Sequence, residues 1–304
     1  MFECADIVVT YNRKKMLKEN INALLFQTYE RHDIIIVDNG STDGTAELVK
    51  NFQDKRIKYF NTGKNLGGAG GFSYGVKLAI EHGYQYAWLM DDDSIPNKDA
   101  LESLIYKSKN INNNFSFLAS LVYWTDGKIF PMNAPNCNFN HVIEMQYDMI
   151  RRNKLIPINN CSFVGCFVNL NIASKVGLPI SEFFIYGDDI EYTKRLRGIN
   201  QAYLDLDSVI VHKAPSNSGA DIVTADQSRI SRFFYQSRNG MYIARKNRKI
   251  HERIIVVLKR ARRVVLYSET HKILRLWMLL KGTFSGMFFN PEVEFADRSK
   301  VSNK

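Results

Sequence analysis

Three consecutive carboxylates, Asp91-Asp92-Asp93, end the apolar run Tyr86-Ala87-Trp88-Leu89-Met90. Adjacent anions repel one another unless a cation is held among them. An apolar run of this length reads as a buried strand, which puts the acids at its carboxyl end, the edge at which open α/β sheets bind ligands. Side chains alternate along a strand, so Asp91 and Asp93 share one side and Asp92 takes the other. Two oxygen donors on one side suit a hard divalent cation, Mn²⁺ or Mg²⁺, which usually also takes substrate phosphates as ligands. The plainer alternative is a solvated acidic turn, because Asp93-Ser94-Ile95-Pro96 is good turn chemistry.

A second acidic cluster, Asp188-Asp189-Ile190-Glu191, follows the aromatic run Phe183-Phe184-Ile185-Tyr186 and opens a helix through Arg197. One acid suffices to cap a helix N-terminus; a pair flanked by aromatics that could form an acceptor platform is also suited to general-base work on a hydroxyl. A lone histidine, His212, ends the alternating run from Gln201 to Val211. As a ligand beside Asp91 and Asp93 it would make a mixed carboxylate–imidazole site, which fits Mn²⁺ better than Mg²⁺; a structural or exposed histidine is the alternative.

Short β-branched or apolar runs at Ala5 to Thr10, Ile34 to Val37 and Ile57 to Phe60 alternate with helical patterns at Leu17 to Gln27 and Thr45 to Phe52. Strand, helix, strand, helix, strand predicts a doubly wound α/β fold with a parallel sheet and a nucleotide at its carboxyl edge. Asn65-Leu66-Gly67-Gly68-Ala69-Gly70-Gly71 then opens a helix through Ile80. It is neither a P-loop nor a dinucleotide fingerprint, and a flexible turn and a loop that lets a ligand approach the backbone are both open. Asp99 to Lys107 reads as a helix, Phe117 to Trp124 as a strand, Asn133 to Asn140 as a loop, and Asn159 to Asn169 as a buried strand that packs beneath the site rather than acting in it.

The net charge of +10 is concentrated in the tail, where Ser228 to Lys281 carries fifteen Lys and Arg against Glu252 and Glu269. A slightly acidic body with basic charge confined to the tail speaks against a nucleic-acid partner. In the tail Ile254, Val257, Leu258, Ala261, Val264 and Val265 fall on one helical face, with Lys259, Arg260, Arg262 and Arg263 largely on the other. Three uses are open: a helix packed on the body, an anionic membrane surface, or a homo-oligomer contact. The division expected is 1–226 for the catalytic domain and 227–304 for a helical basic region. Four cysteines at irregular spacing read as reduced thiols, with Cys161 and Cys166 in the core. Met1-Phe2-Glu3-Cys4 lacks the features of a signal peptide, and no apolar run reaches the roughly 18 residues of a spanning helix. The location expected is cytoplasmic, with the inner face of the membrane as a docking surface.

With these motifs in place, the chain resembles the inverting glycosyltransferases of family 2, which have the GT-A fold, from about Ala5 to Lys213. The resemblance is carried by the order and spacing of Thr10-Tyr11-Asn12-Arg13, Val37-Asp38-Asn39-Gly40-Ser41, Asn65-Leu66-Gly67, Asp91-Asp92-Asp93, Asp188-Asp189-Ile190-Glu191-Tyr192 and His212. The run Phe184 to Tyr192 and the tail motif Phe234-Tyr235-Gln236-Ser237-Arg238-Asn239 are most similar to bacterial galactofuranosyltransferases.

The resemblance implies that Asp38 contacts uracil, with Thr10, Arg13 and Asn65 holding the nucleotide and Asp92 touching the donor sugar or bracing the loop. It implies Asp91, Asp93 and His212 as ligands of Mn²⁺ or Mg²⁺ and Asp189 as the catalytic base. Asp188, Glu191 and Tyr186 would support or orient the acceptor. The donor implied is UDP-galactofuranose and the acceptor a glycan or lipid-linked glycan. Addition of a single sugar is expected, because the mycobacterial polymerase of this kind carries further domains. A dTDP-rhamnose transferase of the same scaffold is the rival within the class; a non-catalytic sugar-nucleotide or nucleic-acid binding protein is the rival outside it.

Overall fold

Strand β1 (Cys4–Thr10) is buried along its whole length and lies between β2 (His32–Asp38) and β4 (Tyr86–Asp91), parallel to both. β3 (Ile57–Asn61) adds to β2 in parallel. Beyond β4 the sheet becomes mixed. β8 (Cys166–Asn169) runs antiparallel to β4 and to β6 (Phe117–Trp124), and β9 (Ala202–His212) runs parallel to β6. Two short strands, β5 (Ser94–Pro96) and β7 (Leu155–Ile158), pair antiparallel with β9, giving the order β3-β2-β1-β4-β8-β6-β9-β5. The computed structural model describes residues 2–137, 150–217 and 219–297.

Helices cover both faces. Side chains alternate along β1, so Ala5, Ile7 and Val9 meet Val76, Ala79 and Ile80 of α3 (Gly67–Glu81) in one core. Cys4 and Val8 join the other core with Leu17, Ile21 and Leu24 of α1 (Lys14–Leu25) and Leu101 and Leu104 of α4 (Ala100–Asn110). Continuous apolar strands with both faces covered are what buried parallel sheets require, and the predicted strand–helix alternation, including α2 (Thr45–Lys50), is what folds. All four cysteines are thiols, and Cys161 and Cys166 are buried.

One predicted strand is corrected. Residues 159–165 form a loop between β7 and β8, and only Cys166–Asn169 is extended. The run reads as a strand because Cys161, Phe163 and Val164 are apolar and face the cores, but Gly165 takes φ +78°, where a strand cannot continue. Of the predicted loop Asn133 to Asn140, residues 138–140 lie outside the described residues.

After β8 come α5 (Leu170–Val176), a single 3₁₀ turn (Ser181–Phe183) and α6 (Asp188–Arg197). The tail is helical: α7 (Gln227–Ile230), α8 (Arg232–Lys246), α9 (Ile250–Tyr267) and α10 (Lys272–Phe288). Only part of the predicted apolar face of α9 is buried. Val257 and Val264 are buried and Ala261 packs with them, whereas Ile254, Leu258 and Val265 are exposed. The guanidinium groups of Arg253 and Arg260 turn inward instead, donating to the Gln236 carbonyl (2.9 Å) and side-chain oxygen (2.7 Å). Long Arg stems pack as apolar surface, which a face count that treats Arg as solvent-facing misses.

Candidate active site

Register alone brings the sequence motifs together. Thr10 lies opposite Asp38 on one side, and Val9 lies opposite Asp91 on the other, so β1, β2 and β4 present their carboxyl ends at one edge. Thr10 Oγ1 donates to Asp92 Oδ2 at 2.7 Å. Arg13, from the loop after β1, spans two of the three acids: Nη1 lies 3.0 Å from Asp92 Oδ1 and Nη2 lies 2.7 Å from Asp93 Oδ2. β5 pairs Ser94 with His212, and the Lys213 N–H donates to the Asp93 carbonyl at 2.9 Å. The strand end predicted to carry a histidine ligand is thereby held against the acidic turn.

His212 Nδ1 lies 2.8 Å from Asn133 Oδ1, and the Asn133 amide nitrogen donates to Ser162 Oγ at 2.8 Å, so the amide ties the imidazole to the loop that carries Ser162. Where Nδ1 carries the hydrogen, the lone pair of Nε2 faces Asp93 Oδ1 at 3.1 Å. A lone pair and a carboxylate at that distance repel unless a proton or a cation lies between them. One ligand atom from each of Asp91, Asp93 and His212 lies within 4.8 Å of the others. Two carboxylates and an oriented imidazole are a donor set that fits a divalent cation, Mn²⁺ or Mg²⁺.

Of these, Asp91 and His212 line a cleft of about 480 Å³. The run Phe184 to Asp189, which ends in the first turn of α6, lines the same cleft. Burial, and then the charge of Asp189, hold Asp188 well above the ordinary carboxylate range. Burial raises Asp189 only to about 6, with Asp91 adding to the rise and the Ile190 N–H, 2.7 Å from Asp189 Oδ1, opposing it. Both members of the pair are thus held above the ordinary carboxylate range. Burial and the charge of Asp93 bring Asp91 to about 6, and burial brings Asp92 to about 7 against the pull of Arg13 and Thr10. Burial works against Asp93 too, but the hydrogen bond and charge of His212, with Arg13, hold it below the ordinary range.

Thr10, Arg13, Asn65, Asp92, Tyr186 and His212 all border this cleft, as do Asp91, Asp188 and Asp189. Three predicted residues do not. Asp93 is buried, its carboxylate held by Arg13 and His212. Asp38 is fully buried, with Oδ1 accepting from Ser41 N–H (2.8 Å) and Oδ2 from the Tyr59 hydroxyl (2.5 Å); its neighbour Asn39 reaches the cleft instead. Glu191 accepts from Arg195 Nε at 2.7 Å one helical turn away. Three lining residues are not legible in the sequence. Asn133, Ser162 and Phe163 sit in loops with no periodicity, and the apolar run around Phe163 reads as packing beneath the site, whereas it forms part of the wall.

The glycine run is divided in its use. A Cβ on Gly67 would stand 2.1 Å from the Phe184 carbonyl, one on Gly71 2.5 Å from Val9 and one on Gly75 2.4 Å from Ile7. These glycines let α3 sit down on β1 and on the loop that carries Asp188 and Asp189. Only Gly67 and Gly68 border the cleft, and Gly68 has open space around it.

The model for glycosyl transferase family 2 matches residues 7–174, more than half of the chain, including β2, β4 and the acidic turn Asp91–Asp93. The chain belongs to glycosyl transferase family 2. A galactofuranosyltransferase, GlfT1, of Mycolicibacterium smegmatis is 28% identical over 196 residues, which are 64% of this chain and 64% of that protein. The match thus spans a little under two thirds of that relative's own length. Among solved structures, TarS residues 1–349 of S. aureus in complex with UDP-GlcNAc covers 93% of this chain and 73% of its own, with a TM-score of 0.55 and 16% identity. GalNAc-T7 with UDP, GalNAc and Mn²⁺ covers 79% and 47%, with a TM-score of 0.58 and 10% identity. At these identities the likeness is one of fold, and the fold is the GT-A architecture of family 2 glycosyltransferases, here with a helical C-terminal segment.

Proposed function

We propose that this glycosyltransferase is inverting and metal-dependent, and moves galactofuranose from UDP-galactofuranose to a hydroxyl of a cell-surface glycan or lipid-linked acceptor. The observation that carries the reading is the division of one cleft between two kinds of acid. Asp91 and Asp93 converge with His212, and Asp189, in the first turn of α6, lines the cleft that Asp91 and His212 also line. A bound Mn²⁺ or Mg²⁺ would supply positive charge to the departing diphosphate. Asp91, Asp93 and His212 would hold it, while Arg13 fixes the acidic turn by bridging Asp92 and Asp93. Thr10, Arg13, Asn65 and Asp92 line the cleft; the first three would hold the nucleotide, and Asp92 would touch the donor sugar or brace the loop.

The acceptor oxygen attacks the anomeric carbon from the face opposite the leaving diphosphate, and the configuration inverts in a single displacement. Asp189 takes the proton of that hydroxyl. Asp188, held above the ordinary carboxylate range, orients the acceptor, with Tyr186 beside it. Support for the furanose donor comes from the resemblance of Phe184 to Tyr192 and from the GlfT1 relative. The exposed apolar stripe of α10 beside basic residues supports a peripheral place on an anionic membrane; among the described residues no helix is long and apolar enough to cross one.

The test is release of UDP or dTDP from UDP-galactofuranose, UDP-galactopyranose, UDP-glucose and dTDP-rhamnose, with Mn²⁺ and with EDTA. UDP-galactofuranose is expected to be turned over fastest, and only with metal. Equal turnover in EDTA would remove the metal from the reading, and a preference for dTDP-rhamnose would replace the donor.

A further inference from the structure

The segment that carries the acceptor-side acids has an unusual backbone. Phe184 has φ 63° and ψ −58°, and the Ile185 N–H donates to the Phe183 carbonyl at 2.7 Å. That is the γ-turn form which is rare because it is strained. Tyr186 (φ 68°) and Gly187 (φ 83°) follow in the left-handed region. A bulky residue at positive φ persists only where the surroundings over-determine it.

The surroundings here are a set of donors from outside the segment. The carbonyls of Glu182 and Phe183 accept from Arg238 Nη2 at 2.5 and 3.3 Å, and the Phe184 carbonyl accepts from the Ala69 N–H at 3.2 Å. Asn239 Nδ2 donates to Phe183 (3.0 Å), Ile185 (3.1 Å) and Tyr186 (2.8 Å), so two amide hydrogens serve three carbonyls. Asn239 Oδ1 accepts from Arg238 Nε at 3.0 Å, which settles which end of the amide faces the loop. Five successive carbonyls are therefore turned away from the cleft and tied to α8 and α3.

Asn239 is fully buried. A buried amide destabilises a fold unless it is hydrogen-bonded, and packing alone would be served by an apolar residue. What Asn239 does that an apolar residue cannot is to select one conformation of 183–186, the conformation that aims the first turn of α6 into the cleft. We propose that Asn239, braced by Arg238, is a positioning residue that sets Asp189 for proton removal, making the tail helix α8 part of the catalytic apparatus. This rests on the reading of Asp189 as base.

The experiment compares Asn239→Asp, which keeps the size and turns the donor into an acceptor facing three carbonyls, with Asn239→Ala and Asp189→Asn. The readouts are kcat and KM for UDP release from whichever UDP-sugar of the panel above the parent turns over fastest, and UDP-binding stoichiometry by calorimetry. Turnover is expected to fall at least a hundredfold for Asn239→Asp and at least tenfold for Asn239→Ala. Donor KM should stay within threefold and UDP binding at full stoichiometry. Adding Asn239→Ala to Asp189→Asn should lower the residual rate less than threefold, because the two act through one proton transfer. Parent-like turnover in both Asn239 variants beside an inactive Asp189→Asn overturns this inference and leaves the base in place. A parent-like Asp189→Asn overturns the base and this inference with it. Loss of UDP-binding stoichiometry in proportion to turnover in both Asn239 variants assigns Asn239 to folding alone and also overturns it.

Discussion

Asp188 and Asp189 are neighbours in sequence, and the proposed mechanism gives them different tasks. A general base acts only when ionised, so the rise of Asp189 to about 6 has a sign: turnover should be full above that pH and fall as pH drops through it. Burial is the larger cause and remains when a cation binds near Asp91, so the acid limb of the pH–turnover profile is expected near 6 in the presence of Mn²⁺. A limb at the ordinary carboxylate pH would count against Asp189. Asp189→Asn should leave UDP affinity within about twofold and lower transfer by about 10²- to 10⁴-fold, the usual span for a lost general base. A second prediction concerns Asn133, whose side-chain amide lies 2.8 Å from His212 Nδ1. Removing the partner that orients a metal-binding histidine typically weakens metal affinity about 10- to 100-fold. Asn133→Leu is therefore expected to raise the Mn²⁺ concentration for half-maximal turnover by that factor, and an unchanged Mn²⁺ titration would exclude His212 as an oriented ligand. His212 is legible in sequence because it ends a strand; Asn133 is not, because a side chain that orients another from a loop leaves no periodic trace.

Helix α3 shows how far an element can be read before it is seen. Its glycines suggest a ligand loop, and its start at Gly67 is legible, but which glycines face a ligand depends on packing that only the fold supplies. Gly75 faces Ile7, where a Cβ would come within 2.4 Å, whereas Gly68 meets nothing within 4 Å. Gly75→Ala should therefore destabilise by about 1–3 kcal/mol through overpacking. Gly68→Ala, in the same helix, should stabilise by about 0.4–1 kcal/mol by reducing the freedom of the unfolded chain. Urea midpoints of the two variants should move in opposite directions, and movement in the same direction would show that the packing of α3 on β1 is not what those glycines serve. The elements that read best, β1, β2 and β4, are buried on both faces and so are continuous apolar runs. The loop at 159–165 misleads for the same reason, since its apolar residues are buried without being extended. The mixed half of the sheet is illegible in pairing, because the antiparallel insertion of β8 between β4 and β6 joins residues far apart in the chain.

At the scale of the molecule, the tail faces two ways. Arg275, Leu279, Gly282 and Gly286 of α10 are buried, and a Cβ on Gly282 or Gly286 would stand 2.4 Å from the carbonyl of Phe234 or Arg238 on α8. Offset by about half a turn, Ile273, Trp277, Leu280, Phe284 and Phe288 form a second stripe left in solvent. A helix that is apolar on both sides, with one side already packed, has a face still to cover. Leu258, Val265 and Leu266 of α9 are exposed as well, on a helix that also carries exposed Lys259, Arg262 and Arg263. Apolar and basic groups together are what a headgroup region with anionic lipid accommodates, and a membrane here would lie beside α8, whose Asn239 reaches the acceptor-side loop. The purified chain should therefore sediment with vesicles containing anionic lipid at low salt and much less at about 0.5 M salt, where the Debye length is only a few ångströms. Trp277→Glu combined with Phe284→Glu, both more than half exposed and so tolerable to the fold, should lower the vesicle-bound fraction at least tenfold while leaving the urea midpoint in place. If the parent does not sediment at low salt but forms a dimer that the same two substitutions dissociate in analytical ultracentrifugation, the stripe is covered by a second copy of the chain and the membrane reading falls.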